Sequence, residues 1–302
     1  LMFSYALDAQ AKHSMLRSGR DDGKVADKGP RLDAGEEVEA ADWFDQSKQP
    51  VVISAEDGIQ LHGWLFDPDC AGAKLHLYAI CCHGYSGQPQ DMAKYAHRFA
   101  RLGFTVLVPA LRGHGLSEGR YAGMGWLDRR DLMRWISLII SSDADARILL
   151  QGKSMGAAAV MMTVGEPDLP RNVVAAVEDC GYASVVQQFI DCARSMFHLP
   201  KFLAKPIVTT MGAIAQRRAG YGFQEASCVE QLKHATIPML FIHGGADDFV
   251  PSRALDENFD ACASIDRQKL LIPSAGHSMS ASTAPVVYWK TVTNFVTRVF
   301  GL

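Results

Sequence analysis

Hydrophobic and polar positions along this chain alternate between short apolar runs and longer segments with helical periodicity. The apolar runs predict strands at 75–82, 104–109, 147–151, 173–178, 238–243 and 268–272. The periodic segments predict helices at 90–102, 124–141, 155–165, 252–264 and 283–299. Strand–helix alternation of this kind predicts an α/β fold, in which a mostly parallel, twisted sheet carries helices on both faces.

The pattern is different just after residue 50. Val51-Val52-Ile53 and the segment from Ile59 to Trp64 are both extended in character, and Asp57-Gly58 lies between them. An Asp-Gly pair between two such segments is a strong signal for a tight turn. The sequence therefore predicts a hairpin ahead of the alternating part.

The alternation breaks once, between the strand that ends near Glu178 and the one that begins at Pro238. A crossover needs only about a dozen residues, so the extra chain is an insertion. Helical patterns fill it at 184–197, 202–218 and 227–233. We therefore predict an N-terminal extension, an α/β core in two parts and a helical lid insertion, at 1–45, 46–182 with 227–302, and 183–226 respectively. The aromatic side chains of the insertion either pack it onto the core or line a substrate pocket, and Phe189 is assigned to the pocket.

Composition narrows the classes of function. With 302 residues, 48% apolar and 21% charged, the chain fits one large globular α/β domain. A net charge of −3 gives no electrostatic basis for binding nucleic acid or an anionic membrane surface. No apolar run reaches the length of about 18 residues that spans a bilayer.

The cysteines bear on location. Seven are scattered along the chain, and no pair has the spacing of zinc ligands. This pattern predicts free thiols in a reducing compartment and favours the cytoplasm. Cys81 and Cys82 are neighbours in a predicted strand and are expected to point to opposite faces. Because the chain opens on the apolar Leu1-Met2-Phe3, a membrane anchor upstream that was removed is the alternative expectation.

The most informative motif is Gly152-Lys153-Ser154-Met155-Gly156, between a predicted strand and a predicted helix. Gly-x-Ser-x-Gly in this setting is typical of a nucleophile elbow, in which the glycines let the chain bend sharply around an exposed serine hydroxyl. The N-terminus of the following helix also favours developing negative charge. A phosphate-binding loop ending in Gly-Lys-Ser would need glycine at position 147, where Arg147 stands. Ser154 is the predicted nucleophile.

A serine nucleophile needs a base and a group that orients the base. In a parallel sheet these groups are expected on loops at the carboxyl ends of strands. His277, on the glycine-containing loop after the last strand, is the predicted base. Asp247, in the loop from His243 to Pro251, is the predicted acid, with Asp248 and Asp179 as alternatives.

The oxyanion of an acyl-transfer reaction needs two preorganised backbone amides. Met155, directly after the nucleophile, and Tyr85, in the loop after the 75–82 strand, are the predicted donors. His83 and His114 are expected to brace their loops and not to transfer protons. Phe249, in the acid-bearing loop, is assigned with Phe189 and Lys153 to substrate binding.

Together these motifs resemble the α/β-hydrolase superfamily from residue 50 onward. The chain looks most like bacterial serine hydrolases grouped with cinnamoyl and feruloyl esterases and with acylaminoacyl-peptidase-like enzymes. The segments that carry the likeness are 83–87, 111–117, 123–128, 152–156, 178–182, 243–251 and 275–277, and the order Ser, Asp, His is the order of that superfamily.

The resemblance implies a serine hydrolase that cleaves a small-molecule carboxylic ester or related acyl compound through an acyl-enzyme, without a metal or organic cofactor. An aminoacyl- or acyl-peptide hydrolase with the same triad is the alternative. A non-catalytic binding protein of this fold is a further one.

Two positions depart from the family pattern. Ala110 stands where an aspartate usually precedes Leu-Arg-Gly-His-Gly, so one interaction that braces this loop is expected to be missing. Lys153 stands before the nucleophile, where histidine or a small or apolar residue is commoner. A cation there could favour an anionic leaving group or substrate. Alternatively, Lys153 points to solvent or to a carboxylate on a helix.

Overall fold

The computed structural model describes residues 2–18, 30–72 and 74–302. Part of the predicted N-terminal extension, residue 1 and residues 19–29, lies outside the described residues. The strands are β1 (Gln49–Ser54), β2 (Gln60–Phe66), β3 (Leu77–Cys82), β4 (Thr105–Pro109), β5 (Arg147–Lys153), β6 (Val173–Asp179), β7 (Met239–Gly244) and β8 (Arg267–Ile272). The helices are α1 (Met2–Leu7), α2 (Met15–Ser18), α3 (Ala34–Ser47), α4 (Ala93–Arg101), α5 (Trp126–Ser142), α6 (Met155–Val164), α7 (Val185–Phe197), α8 (Lys201–Arg218), α9 (Cys228–Leu232), α10 (Arg253–Ala261), α11 (Ser280–Thr283) and α12 (Pro285–Phe300).

All eight strands form one sheet in the order β1-β2-β4-β3-β5-β6-β7-β8. The β1–β2 and β2–β4 pairs are antiparallel, and the other pairs are parallel. Ser54 pairs with Gln60 across the turn that contains Asp57-Gly58, which confirms the predicted hairpin. The prediction of a mostly parallel sheet is also confirmed.

Helices cover both faces of the sheet. Side chains of α3, α4 and α12 pack in one core, and those of α5, α6, α9 and α10 pack in the other. Along β3, Cys81 belongs to the first core and Cys82 to the second, as predicted from the alternation of a strand. The central strands are buried on both faces, which explains why they read as continuous apolar runs.

The predicted element boundaries differ from the observed ones by a few residues. Helix α4 begins at Ala93, because Pro89–Met92 forms a separate 3₁₀ turn ahead of it. Strand β5 continues two residues beyond its predicted end, to Lys153. The nucleophile motif therefore starts inside the strand, and the turn between strand and helix consists of Ser154 alone.

Helices α7 and α8 lie where the strand–helix alternation breaks, and α8 packs against α1. The ends of this segment meet, since Ser184 and Ser227 form an isolated β-bridge and the Val185 amide donates to the Ala226 carbonyl at 3.0 Å. This closure supports the proposed insertion at 183–226. No helix in the described part of the chain is long and apolar enough to cross a bilayer.

Helix α1 and Asp8 are attached to the core. Leu7 is fully buried, and its carbonyl accepts a hydrogen bond from the Ala122 amide at 2.9 Å. Asp8 pairs with Tyr121 in a β-bridge and forms an ion pair with Arg120 at 3.0 Å. Helix α1 is thus fixed near the carboxyl ends of the parallel strands, which are followed by the candidate site residues.

Candidate active site

Ser154 occupies a strained backbone conformation between β5 and α6. Its φ and ψ angles are 56° and −118°, a region that L residues rarely adopt. The Ser154 amide donates to the Asp179 carbonyl at 2.8 Å, which ties the turn to the neighbouring strand. The surrounding structure therefore holds the serine in a conformation that it would not adopt alone.

The two glycines of the motif are required for a different reason than the sequence suggested. Neither has a left-handed backbone, so the sharp bend falls on Ser154 itself. A Cβ atom at Gly152 would lie 2.3 Å from the Gly156 carbonyl oxygen. One at Gly156 would lie 2.2 Å from the Cys82 carbonyl oxygen. Both positions need glycine because backbone segments pack directly against them.

The structure brings together the three residues predicted as nucleophile, base and acid. The Ser154 Oγ lies 2.8 Å from His277 Nε2, and His277 Nδ1 lies 2.7 Å from Asp247 Oδ2. Each residue follows the carboxyl end of a parallel strand: Ser154 follows β5, His277 follows β8 and Asp247 follows β7. One neutral tautomer satisfies both contacts of the imidazole: Nδ1–H donates to the carboxylate and Nε2 accepts from the serine hydroxyl.

Asp247 is held as a buried carboxylate. Its Oδ1 accepts the amides of Phe249 at 2.9 Å and Val250 at 2.8 Å. Burial raises the pKa of Asp247, but hydrogen bonds from His243 and His277 outweigh it and lower the pKa to about 2. Asp247 is therefore ionised at neutral pH.

The two alternative acids do not contact His277 in this way. Asp248 is exposed. Asp179 is fully buried, and its Oδ2 accepts a hydrogen bond from the Tyr288 hydroxyl at 2.9 Å. The geometry therefore favours Asp247 over both alternatives.

His243 is a site residue that sequence reasoning missed. It is fully buried, with Nε2 3.0 Å from the Val250 carbonyl and 3.4 Å from Asp247 Oδ2. Burial lowers the pKa of His243, but Asp247 and the nearby Glu178 together raise it above the ordinary value. The signal in the sequence is a second histidine four residues before the acid. Its spacing alone does not predict the contact with Asp247.

The loop after β3 is braced by the two histidines that were expected to brace it. His83 Nδ1 lies 2.8 Å from the Gly84 carbonyl, and its Nε2 accepts the Leu111 amide at 3.1 Å. His114 Nε2 contacts the Tyr85 carbonyl. These contacts hold the Gly84 and Tyr85 carbonyls in place. The Tyr85 amide belongs to the same peptide group as the Gly84 carbonyl, so its orientation is fixed with it.

The two amides assigned to the oxyanion lie on elements that flank Ser154. Met155 begins α6, and a Cβ atom at Gly84, directly before Tyr85, would lie only 3.3 Å from the Ser154 Cβ. Within the described chain, the backbone amides of Tyr85 and Met155 donate no hydrogen bond to the protein. Both amides are therefore available to a bound ligand.

Strained residues cluster around the site. Cys180 and Ser278 have positive φ angles of 54° and 60°, like Ser154, and the Cys180 Sγ lies 3.4 Å from the Ser278 Oγ. Ligand atoms of Cys180, Asp247 and His277 lie within 4.8 Å of one another, the only such three-residue group in the described part of the chain. Because both Asp247 oxygens already accept hydrogen bonds and burial raises the pKa of the Cys180 thiol, this group is a poor metal site.

An apolar cavity borders Ser154, and residues of α7, α8, α1 and α2 contribute to its lining. Phe189 and Phe249, both predicted to bind substrate, line it. The Phe189 ring stacks on Phe223 at 4.9 Å, and the Phe249 ring lies 5.0 Å from the His277 ring. Met15 of α2 also lines the cavity, a contribution that the sequence analysis missed.

A second recess, called here the polar recess, also borders Ser154 and shares Met15, Tyr85 and Phe249 with the apolar cavity. Its lining includes Lys153, Asp91, His277 and Ser278. Lys153 is half-buried, with its ammonium 5.8 Å from the centre of the Tyr95 ring, and it forms no ion pair with any described residue. Lys153 therefore lines the recess and is not paired with a helix carboxylate among the described residues.

Comparisons with known proteins agree with this architecture. The family model described as serine aminopeptidase S33 (Hydrolase_4) matches residues 75–205. The Bacillus subtilis protein YqkD, named as uncharacterized, is 26% identical over 255 residues, which cover 84% of this chain and 81% of YqkD. The Mycobacterium tuberculosis protein Rv2307c, also named as uncharacterized, is 29% identical over 231 residues, with 76% and 72% covered.

Solved structures with a similar fold include an esterase and a peptidase. The Pyrococcus furiosus esterase Pf2001 matches with a TM-score of 0.66 at 20% identity, over 83% of this chain and 92% of the esterase. The Pyrococcus horikoshii acylaminoacyl peptidase matches with a TM-score of 0.60 at 16% identity, over 84% of this chain and 42% of the peptidase. The strand order, the nucleophile turn and these likenesses lead to one conclusion: the chain has the α/β-hydrolase fold.

Proposed function

We propose that this protein is a serine hydrolase that cleaves carboxylic esters of small molecules. The observation that carries the proposal is the continuous hydrogen-bonded chain from Ser154 through His277 to Asp247, with contacts of 2.8 and 2.7 Å. This arrangement can turn a weakly nucleophilic hydroxyl into an effective nucleophile, because the base and its orienting group are already in place.

In the proposed reaction, His277 Nε2 takes the proton of Ser154 as Oγ attacks the ester carbonyl. The amides of Tyr85 and Met155 bind the oxyanion, and the Asp247 carboxylate stabilises the imidazolium. The C–O bond to the alcohol breaks, and His277 gives its proton to the leaving alkoxide. Water then attacks the acyl-enzyme by the same route and releases the carboxylic acid.

An aminopeptidase or acyl-peptide hydrolase is the second candidate, since the matching family model is described as serine aminopeptidase. An aminopeptidase must bind the protonated amino group of its substrate, and a carboxylate is the usual partner for such a cation. Within the described residues, the apolar cavity beside Ser154 is lined by no acidic side chain. The lining of this cavity therefore supports an apolar acyl group over an aminoacyl group.

A substrate panel separates the two candidates. Rates should be compared for p-nitrophenyl esters of increasing acyl length and for p-nitroanilides of amino acids and acylated amino acids. We expect the esters to be cleaved with the higher kcat/KM, relative to the uncatalysed rates of the two bond types. Faster normalised turnover of the anilides would reject the esterase in favour of the peptidase.

The nucleophile is tested by Ser154→Ala. Loss of the nucleophile of a triad that acts as a unit should reduce kcat on the order of 10⁶-fold. The variant should also lose labelling by a fluorophosphonate, whereas Ser141→Ala, at an exposed position on α5, should label like the wild type. A wild-type protein that resists the label and hydrolyses no ester would support a non-catalytic member of this fold.

A further inference from the structure

Ser154 borders two adjoining recesses that differ in whether charged side chains line them. The apolar cavity is lined by no charged side chain within the described residues. The lining of the polar recess includes a lysine, an aspartate, a histidine and three serines. Ser154, Tyr85 and Phe249 line both, so a substrate bound at the serine can extend into each of them.

The position of His277 assigns the two parts of an ester to these recesses. His277 lines the polar recess but not the apolar cavity. The group that protonates the leaving alcohol must reach its oxygen at hydrogen-bond distance. The alcohol therefore lies on the His277 side, in the polar recess, and the acyl chain lies in the apolar cavity.

The lining of the polar recess includes a lysine directly before the reacting serine in the chain. Lys153 precedes the nucleophile and is the only lysine or arginine in the described lining of the recess. Asp91 lies on the exposed rim, where its carboxylate accepts the Gln88 amide at 2.9 Å. Asp179 is the register partner of Lys153 across β5 and β6 and interacts with its charge, but it is fully buried and accepts the Tyr288 hydroxyl. Neither aspartate forms an ion pair with Lys153.

We propose that Lys153 binds an oxyanion carried by the leaving alcohol, so that the preferred substrates are esters of apolar acids with anionic alcohols. The inference rests on the proposed ester hydrolase and specifies its substrate class. The reaction consumes one water molecule, breaks the acyl C–O bond and releases the apolar acid and the anionic alcohol. A half-buried ammonium is suited to this role because its charge is less screened than that of an exposed lysine.

The test uses matched esters of octanoic acid with 3- or 4-hydroxybenzoate and with the corresponding methyl hydroxybenzoates. The two members of each pair share the acyl chain and the aromatic ring and differ in the charge of the leaving group. Each rate is divided by that for alkaline hydrolysis, which corrects for intrinsic reactivity. We expect the wild type to prefer the anionic member in kcat/KM by about tenfold, which corresponds to about 1.4 kcal/mol.

Two substitutions distinguish a charge effect from a structural one. Lys153→Met keeps the length of the side chain and should remove the preference, mainly through a higher KM for the anionic ester, so that the ratio of kcat/KM for the anionic and neutral esters falls about tenfold. Lys153→Arg should retain most of the preference. Added salt should weaken the preference of the wild type and leave that of Lys153→Met unchanged.

The outcomes separate this inference from the function on which it rests. If the wild type hydrolyses the neutral esters but shows no preference for the anionic ones, the ester hydrolase stands and the role of Lys153 is wrong. The same holds if Lys153→Met slows both members of a pair equally. If no ester of either kind is hydrolysed, the proposed function fails and this inference fails with it.

Discussion

At the scale of single residues, the charge of Asp247 determines which nitrogen of His277 carries the proton. The Oδ1 atom is occupied by two backbone amides, so Oδ2 is left to receive His277 Nδ1–H. With the proton on Nδ1, the lone pair of Nε2 points to Ser154. The tautomer needed by a general base is therefore set by a carboxylate that the loop itself holds in place.

Asp247→Asn should reverse this tautomer while it keeps the shape of the side chain. Its Oδ1 can still accept the two amides, but the amide NH₂ must then donate to His277 Nδ1 and leave the proton on Nε2. We expect kcat for ester hydrolysis to fall on the order of 10³- to 10⁴-fold. The measurement is steady-state kinetics on a p-nitrophenyl ester, with thermal unfolding to confirm that the variant is folded.

Asp248→Asn is the matched control, because Asp248 is the exposed neighbour in the same loop. It should keep kcat within about threefold of the wild type, as surface substitutions away from the site usually do. A large loss in Asp248→Asn together with a small one in Asp247→Asn would show that the wrong aspartate has been assigned.

Single residues were predictable from the sequence where a motif defined both chemistry and position. Ser154, Asp247 and His277 each stand on a recognisable loop in the expected order. His243 was not predictable, because its contact with Asp247 depends on how residues 243–250 fold back on themselves. The unpaired state of Lys153 likewise depends on the absence of an acid from several separate elements, which spacing cannot reveal.

At the scale of secondary-structure elements, the apolar cavity has walls from distant parts of the chain. Helices α7 and α8 supply one side, and α1 and α2 supply another. Helix α1 is held there because the Tyr85 hydroxyl bonds the Ala6 carbonyl and the Ala122 amide bonds the Leu7 carbonyl. The proposed insertion and the N-terminal segment together enclose the space that we propose for an acyl chain.

Phe189→Ala should change which acyl chains this space accepts. The ring lines the cavity beside Ser154 and stacks on Phe223, so its removal lengthens the cavity and costs stability. We expect the preferred acyl chain of p-nitrophenyl esters to become longer. The unfolding free energy should fall by about 2–4 kcal/mol, which is less than for a fully buried phenylalanine because the ring is half-buried.

Phe202→Ala is the control for the lid, since Phe202 lies on α8 with 75% of its surface exposed. It should leave both the acyl-length profile and the unfolding free energy close to those of the wild type. An unchanged profile in Phe189→Ala would mean that the acyl chain does not enter this cavity.

Elements were the most predictable level, because strands and helices longer than about five residues carry their own hydrophobic period. The role of α1 and α2 was not predictable for the same reason. Six and four residues are too short to show a period, and Ala122, whose amide bonds the Leu7 carbonyl of α1, lies more than a hundred positions away.

At the scale of the whole molecule, two buried carboxyl groups make the free energy of unfolding depend on pH with opposite signs. One is Asp247 in the site, and the other is Glu178 near His243. The pKa of Asp247 is lowered to about 2, so its contribution is complete above the ordinary value near 4 and is lost as pH falls toward 2. Burial raises the pKa of Glu178 to about 8, and nearby His243 and the Gly181 amide only partly oppose this. The two effects fall in separate pH windows and can be measured separately.

Glu178→Gln should remove the effect in the upper window. Between about pH 4.5 and 8 the folded wild type retains a proton on Glu178 that the unfolded chain has released, so its stability falls as pH rises. Glutamine is neutral throughout and can still accept the Gly181 amide, which Glu178 accepts at 3.0 Å. The unfolding free energy of the variant minus that of the wild type should therefore grow from pH 5 to pH 9, by on the order of 4 kcal/mol at the upper end.

Urea unfolding at pH 5, 7 and 9 measures this difference. Glu39→Gln, at an exposed glutamate, is the control, and its difference from the wild type should not change with pH. A flat difference for Glu178→Gln as well would mean that the buried glutamate is ionised in the folded protein at every pH tested, with its charge balanced by His243.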